Sequence, residues 1–166
     1  MAEIPLTRGM VAIVDEEDFE QIKDLSEKKW QATRIDRGGK NKLYYAKRGG
    51  GQRALPLIYM HQLLLDVPKD KEVDHIDGNG LNNRRSNLRI CYHPQNCFNR
   101  RKQFNTSSIY KGVYWNKQRH KWQAQIKFEG RRHFLGRFTN EVQAALAYNK
   151  AAKKEYGEFA TLNKIK

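Results

Sequence analysis

Between Lys121 and Phe128 the chain alternates without a break. Trp122, Ala124, Ile126 and Phe128 fall on one side, and Lys121, Gln123, Gln125 and Lys127 on the other. Successive side chains of a strand point to opposite faces, so a period of two means an extended strand with one wet face. Aromatic and β-branched residues mark two more strands, 109–115 and 132–138, with turns at 116–120 and at Glu129-Gly130. After Thr139 the period changes. Alanines at 144, 145, 147, 151 and 152 predict a helix over 140–155, with Thr139 or Asn140 as its N-cap. An alanine-rich face lets a helix lie close to a sheet. The expected C-terminal architecture is three antiparallel strands covered on one face by one helix.

Charge narrows the partner. The formal net charge is +14, and residues 106–166 hold 13 basic and 4 acidic residues, net +9 of that excess. Such a balance points to a polyanion, most commonly nucleic acid. An anionic membrane normally takes a broad amphipathic helix or a lipid anchor, and neither is evident. No apolar run approaches the roughly 18 residues of a membrane span. The N-terminus, MAEIPLTRG, lacks the basic-then-apolar layout of a signal peptide. The expected setting is the cytoplasm, that of the host cell if the chain is phage-encoded, with no membrane partner. Cys91 and Cys97 form no CxxC pair, and His93 adds one ligand where structural zinc needs about four. No zinc is expected, and the thiols are read as reduced side chains in or near a small core.

A chain of 166 residues with 39% hydrophobic residues suits small cores better than one large one. The N-terminal part has an acidic cluster at Asp15–Asp18, runs ending in Trp30 and Tyr44-Tyr45, and a Gly- and Lys/Arg-rich loop at Lys47–Arg53. These predict short strands and turns. A helix is expected over Leu57–Leu65, bounded by Pro56 and Pro68, and another from Pro94 to Lys102. Residues 103–108 (QFNTSS) are the expected linker. The expected domains are thus 1–105, with a core motif at 72–102, and 106–166, in an α+β fold class.

Residues 73–99 (VDHIDGNGLNNRRSNLRICYHPQNCFN) carry the chemistry. Phosphodiester hydrolysis needs a base to activate water and a cation to neutralise developing charge. A histidine titrating near neutrality can be the base. A hard divalent ion takes carboxylate, carboxamide and phosphate oxygens. Asp74 and His75 are adjacent, so on a strand they diverge unless the backbone bends, and the Asp77-Gly78-Asn79-Gly80 turn can supply a bend. Asn96 can supply a second oxygen.

These residues resemble the HNH nuclease family, whose site is a two-stranded hairpin and a helix around one metal ion. The match is Asp74-His75, Asn87 within SNLRI and Asn96 within QNCFN, and the phage and intron-encoded homing endonucleases are the nearest branch. The resemblance implies His75 as general base, Asp74 and Asn96 as ligands of Mg²⁺ (or Mn²⁺), and Asn87 as a brace for the loop between the strands. Other readings stand beside it. The Asn-rich run is also turn chemistry, and a degenerate nuclease fold can bind DNA without cutting it. His61 can pack in a core or touch a phosphate. Arg84, Arg85, Arg89, Arg100 and Arg101 can hold phosphates or be solvated charges.

Residues 109–163 resemble the Apetala-type domain of plant ethylene-response factors, through YKGV (110–113), KWQAQI (121–126), LGRF (135–138), AALAYNKAA (144–152) and GEFAxLN (157–163). The resemblance implies an open sheet face lying in the major groove of double-stranded DNA. Lys111, Tyr114 and Asn116 on strand one, Lys121, Gln125 and Lys127 on strand two, and Arg132, Phe134 and Arg137 on strand three are the expected contacts. Several are Arg in the plant proteins but Lys, Tyr or Asn here, which puts the plant GC-rich preference in doubt. A protein-binding domain is the alternative for this module. RNA fits less well, because the aromatic pairs that stack bases in RNA readers are missing. Together these expectations describe a homing-type DNA endonuclease with no obligatory protein partner; the alternative is a non-catalytic DNA-binding regulator.

Overall fold

The computed structural model describes residues 1–24, 29–35, 42–49, 56–99, 102 and 106–165. They form two compact units, Met1–Asn96 and Cys97–Lys166. Half of the expected linker, residues 103–105, and Arg100 and Arg101 lie outside the described residues.

The first unit opens with a hairpin of β1 (Ala2–Pro5) and β2 (Val11–Val14), followed by helix α1 (Glu16–Asp24). The acidic cluster, expected to be part of a strand-and-turn region, instead heads this helix. Glu16, Glu17 and Asp18 fill its first turn, where the helix dipole favours negative charge. Strands β3 (Gln31–Ile35), β4 (Leu43–Arg48) and β5 (Ile58–Tyr59) form an antiparallel sheet in that order. The helix expected over 57–65 is therefore shorter. Ile58 and Tyr59 pair with Arg48 and Lys47, and helix α2 (Met60–Leu64) begins only after them. Strands β6 (Glu72–His75) and β7 (Leu88–Cys91) make a separate hairpin, and helix α3 (His93–Phe98) follows. The core of the unit includes Ile4, Val14, Ile22, Trp30, Met60 and Leu88.

The N-terminal hairpin has a defined job: it grips the loop between β6 and β7. Ile13 N–H donates to Leu81 O at 2.9 Å, and Asn83 N–H donates to Ile13 O at 2.7 Å. Asp15 accepts from Arg84 Nε at 3.2 Å and from the Arg85 backbone N–H at 2.8 Å. Asp18, buried, takes a fork from Arg85 Nε and Nη2 at 2.9 and 2.7 Å. Arg84 and Arg85 are thus bound within the protein. Because the Arg85 side chain is half exposed, Asp18→Ala is expected to cost about 1–2 kcal/mol in urea unfolding. No loss of stability would mean the fork is a surface contact.

In the second unit, β8 (Val113–Asn116), β9 (Lys121–Phe128) and β10 (Arg131–Phe138) form one antiparallel sheet in the order β10-β9-β8. Helix α4 (Glu141–Tyr156) packs on it through Ala144, Ala145, Tyr148 and Ala152. Asn140 is the N-cap, its side chain accepting from the backbone N–H groups of Val142 and Gln143. Strand one is shorter than expected. The backbone before it is held by side chains, with Ser108 Oγ accepting from Tyr110 N–H and Asn163 bonding both polar groups of the Lys111 backbone. Gly112 has φ +75°, and a Cβ there would strike the Tyr148 ring, so this corner needs glycine.

Candidate active site and nucleic-acid interface

The loop between β6 and β7 is organised by Asp77. Its carboxylate accepts from Asn79 N–H at 2.7 Å, Asn82 Nδ2 at 2.8 Å and Asn87 Nδ2 at 3.0 Å. Burial pushes the Asp77 pKa up, but these bonds outweigh it and hold the carboxyl below its ordinary value. Asn87 also donates to Asn82 O at 2.8 Å and accepts from Asp77 N–H at 3.0 Å. The position expected to brace the loop thus makes three bonds across it. Gly80 lets the loop lie against β4, since a Cβ there would overlap Tyr44 O and the Tyr45 ring.

His75 ends β6, 4% exposed. Its Nε2 lies 3.3 Å from Asn83 Oδ1. Asn83, fully buried, donates Nδ2 to Leu81 O at 3.3 Å, which fixes the amide so that its oxygen faces the ring. His75 then carries its hydrogen on Nε2, and Nδ1 holds the lone pair. The Tyr45 and His61 rings pack edge-on to His75, with centroids at 5.5 and 5.1 Å, and Tyr59 stacks on His61. Burial depresses the His75 pKa against the opposing pull of Asn83, Asp77 and Asp74, so the imidazole is neutral at pH 7. Asn83, Tyr45 and Tyr59 were not anticipated from the sequence, because only the tertiary fold brings them here.

His61 belongs to the same buried cluster. Its Nδ1 has no hydrogen-bond partner among the described residues. Burial first, and His75 second, lower its pKa to about 3. An unfolded histidine titrates near 6.5. Below that pH the unfolded chain binds a proton that folded His61 refuses, so stability falls as the pH drops. From pH 7 to pH 5 the His61 contribution is a loss of about 2 kcal/mol. Urea unfolding at both pH values should show it, and His61→Phe should remove that part of the slope. An unchanged slope in the variant would mean His61 is not held neutral.

Asp74 faces Arg89 across the hairpin. Its Oδ2 accepts from Arg89 Nε at 2.9 Å and Nη2 at 2.7 Å; Asp74 is buried and Arg89 largely so. Glu72 lies two residues earlier on the same strand, hence on the same face. It accepts from Asn96 Nδ2 at 2.8 Å and lies 2.7 Å from His93 Nδ1. Asn96 is thus held at this hairpin with Nδ2 engaged by Glu72, which leaves Oδ1 as its atom for a cation. Glu72 went unnoticed in the sequence, although its parity with Asp74 was the available sign. Burial lifts the Cys91 thiol to about 11, so it stays protonated and a poor metal ligand. Among the described residues no group of three or more His, Cys, Asp or Glu is placed to hold a metal. The Asp74 carboxylate and the Asn96 amide oxygen are donors of the kind that a hard divalent cation takes.

In the second unit the strand register defines the sheet face turned away from α4. Asn116 pairs with Lys121, Tyr114 with Gln123, Phe134 with Gln125 and Arg132 with Lys127. An irregularity between Phe134 and Gly136 changes the parity of β10, and Arg137 thereby pairs with Gln123. Eight of the nine expected contact residues therefore share one face. Lys111 is the exception: it precedes β8, and its Nζ donates to Phe98 O at 2.7 Å. Burial lowers its pKa to about 8.

Among the described residues no helix is long and apolar enough to cross a membrane. A family profile described as HNH endonuclease matches residues 66–97, the segment that contains β6, the Asp77 loop, β7 and Asn96. A protein of Acanthamoeba polyphaga mimivirus described as an uncharacterized HNH endonuclease is 39% identical over 109 residues, 64% of this chain and 56% of its own length. Protein 3.8 of Escherichia phage T7 is 35% identical over 95 residues, 57% of this chain and 77% of its own length. The chain thus spans little more than half of the mimivirus relative. No solved structure gives a significant match. With a buried His75 next in sequence to Asp74 inside the matched segment, residues 66–97 carry an HNH endonuclease domain, a nuclease domain, and the chain belongs to one family with Protein 3.8 of phage T7.

Proposed function

We propose that this protein is a metal-dependent endonuclease of the homing type that hydrolyses double-stranded DNA at a site chosen by its C-terminal sheet, which resembles the Apetala-type domain. The observation that carries the reading is His75: neutral, with its tautomer set by Asn83, and next in sequence to a buried carboxylate. In this reading His75 Nδ1 takes the proton from the attacking water. Asp74 and Asn96 present oxygens to the cation, which when bound would stabilise charge on the scissile phosphate and leaving oxygen. Asn87 and Asp77 keep the loop rigid, so His75 does not pay reorganisation at the moment of reaction. By resemblance the products carry 5′-phosphate and 3′-hydroxyl ends. One such site per chain makes a nick the simplest product.

A second reading, a DNA-binding regulator that does not cut, is favoured by the Asp74–Arg89 ion pair, which engages the carboxylate meant for the cation. Supercoiled plasmid, incubated with Mg²⁺, Mn²⁺ or chelator, separates the two. The endonuclease reading expects conversion to open circle or linear DNA with either metal and none with chelator. Retained DNA binding with no cleavage of plasmid, phage or host DNA would favour the regulator.

A further inference from the structure

The sheet face turned away from α4 is not uniformly basic. Its cross-strand pairs form rows about 7 Å apart, two residues along each strand. At one end lies Lys127–Arg132. The row in which Gln123 meets Arg137 carries the next positive charge, and Lys121 follows beyond it. Between Lys127–Arg132 and Arg137 sits Gln125–Phe134, which has no charge. Phe134 is 57% exposed, and the Arg137 guanidinium lies 5.1 Å from its ring centroid. None of the four carboxylates of residues 106–166 lies on β8, β9 or β10. The surface is thus an uncharged amide-and-aromatic pair between cationic rows, with no acidic residue on its strands.

Cationic rows suit phosphates, which fix position without reading sequence. The central pair has the two chemistries that mark an A·T pair in the major groove. A carboxamide matches adenine N6 and N7 bidentately, and an aromatic ring makes apolar contact with the thymine methyl. Cross-strand Cβ atoms lie about 5 Å apart, close enough for both side chains to reach one base pair or two neighbouring ones. We infer that Gln125 and Phe134 form an A·T-reading pair, Gln125 on adenine and Phe134 on the thymine methyl, with Lys127, Arg132 and Arg137 holding the flanking phosphates. This rests on the reading of the sheet face as the DNA-binding surface. It assigns this sheet a preference distinct from that of a surface in which several arginines read guanine.

The test uses the full chain in chelator, so that binding is measured without cleavage. The preferred duplex is selected from randomised DNA, and affinity is then measured with thymine replaced by deoxyuridine and adenine by 7-deazaadenine. Wild type should lose about four-fold on removal of the thymine methyl, and Phe134→Ala should be indifferent to it. Gln125→Ala should lose discrimination of A·T from G·C at that position by about five- to 150-fold, and should no longer sense 7-deazaadenine. Both positions lie outside the hydrophobic core, and thermal melts confirm that the variants fold. Tight, salt-dependent DNA binding without an A·T position, or equal penalties in wild type and variants, would overturn the inference and leave the proposed function standing. Binding to RNA or protein with none to DNA would overturn both.

Discussion

Replacing His75 with alanine is expected to lower metal-supported DNA cleavage by about 10²–10⁴-fold, the usual contribution of a positioned general base, while DNA binding is retained. His75 is also part of a buried ring cluster with Tyr45 and His61, so lost activity alone does not separate a chemical role from a packing role. Two further readings do. The first is the pH profile. The depressed pKa of His75 keeps the base unprotonated at pH values where an ordinary histidine is already charged. Wild-type cleavage should therefore persist just below pH 6.5, where an ordinary histidine base is already protonated, and fall only at more acid pH. The second is rescue. Truncation leaves a ring-sized gap beside Asn83, and added imidazole should restore part of the rate in His75→Ala without changing its melting temperature. Cleavage at the wild-type rate in a folded His75→Ala protein would remove His75 from the mechanism.

What could be read from the sequence was local. Strand β9 is legible because one face meets α4 and the other meets solvent, which writes period two directly into Lys121–Phe128. The change to helical period after Thr139 is legible for the same reason, and Asn140 caps α4 as a local side chain can. The hairpin around Asp74 and His75 shows itself through turn chemistry: Asp77, Asn79 and Asn87 bond backbone groups within about ten residues.

What stayed hidden depends on distant partners. Asp18 and Arg85 are 67 positions apart, and nothing in DEED announces that its last carboxylate will fork with an arginine in a loop. Strand β5 escaped because two residues pair with the end of β4 before α2 starts, too short a stretch for any period to show. Asn83 was one asparagine in a run of polar residues until Ile13 O fixed its backbone and Leu81 O its amide. A fully buried asparagine whose side-chain bonds are both committed selects one tautomer of its neighbour. The chemistry of His75 therefore depends on β2 as much as on its own strand, and a full account of the site has to include the first 15 residues of the chain.

Arg89 offers the sharpest handle on the cation. Its guanidinium and the Asp74 carboxylate are 13% and 6% exposed, and removing one member of such a buried pair typically costs about 3–5 kcal/mol, because the other charge loses its counterion in a poorly solvated place. Arg89→Met is expected to cost that much in chelator, read by urea unfolding. The double variant Arg89→Met with Asp74→Asn should recover most of it, since no uncompensated charge then remains. The metal response should also change. In wild type a divalent ion must compete with the guanidinium for the carboxylate, so Mg²⁺ alone should shift the unfolding midpoint little. In Arg89→Met the carboxylate is offered to the ion, and binding to the folded state stabilises it by RT ln(1 + [Mg²⁺]/Kd). The variant should gain stability steadily with Mg²⁺ concentration, and the double variant should not. If Arg89→Met matches wild type in chelator and ignores Mg²⁺, the ion pair contributes no stability and Asp74 does not hold the cation. If it gains stability with Mg²⁺, the guanidinium is standing where the cation binds, and DNA phosphate becomes the natural partner to draw Arg89 away and admit the metal with the substrate.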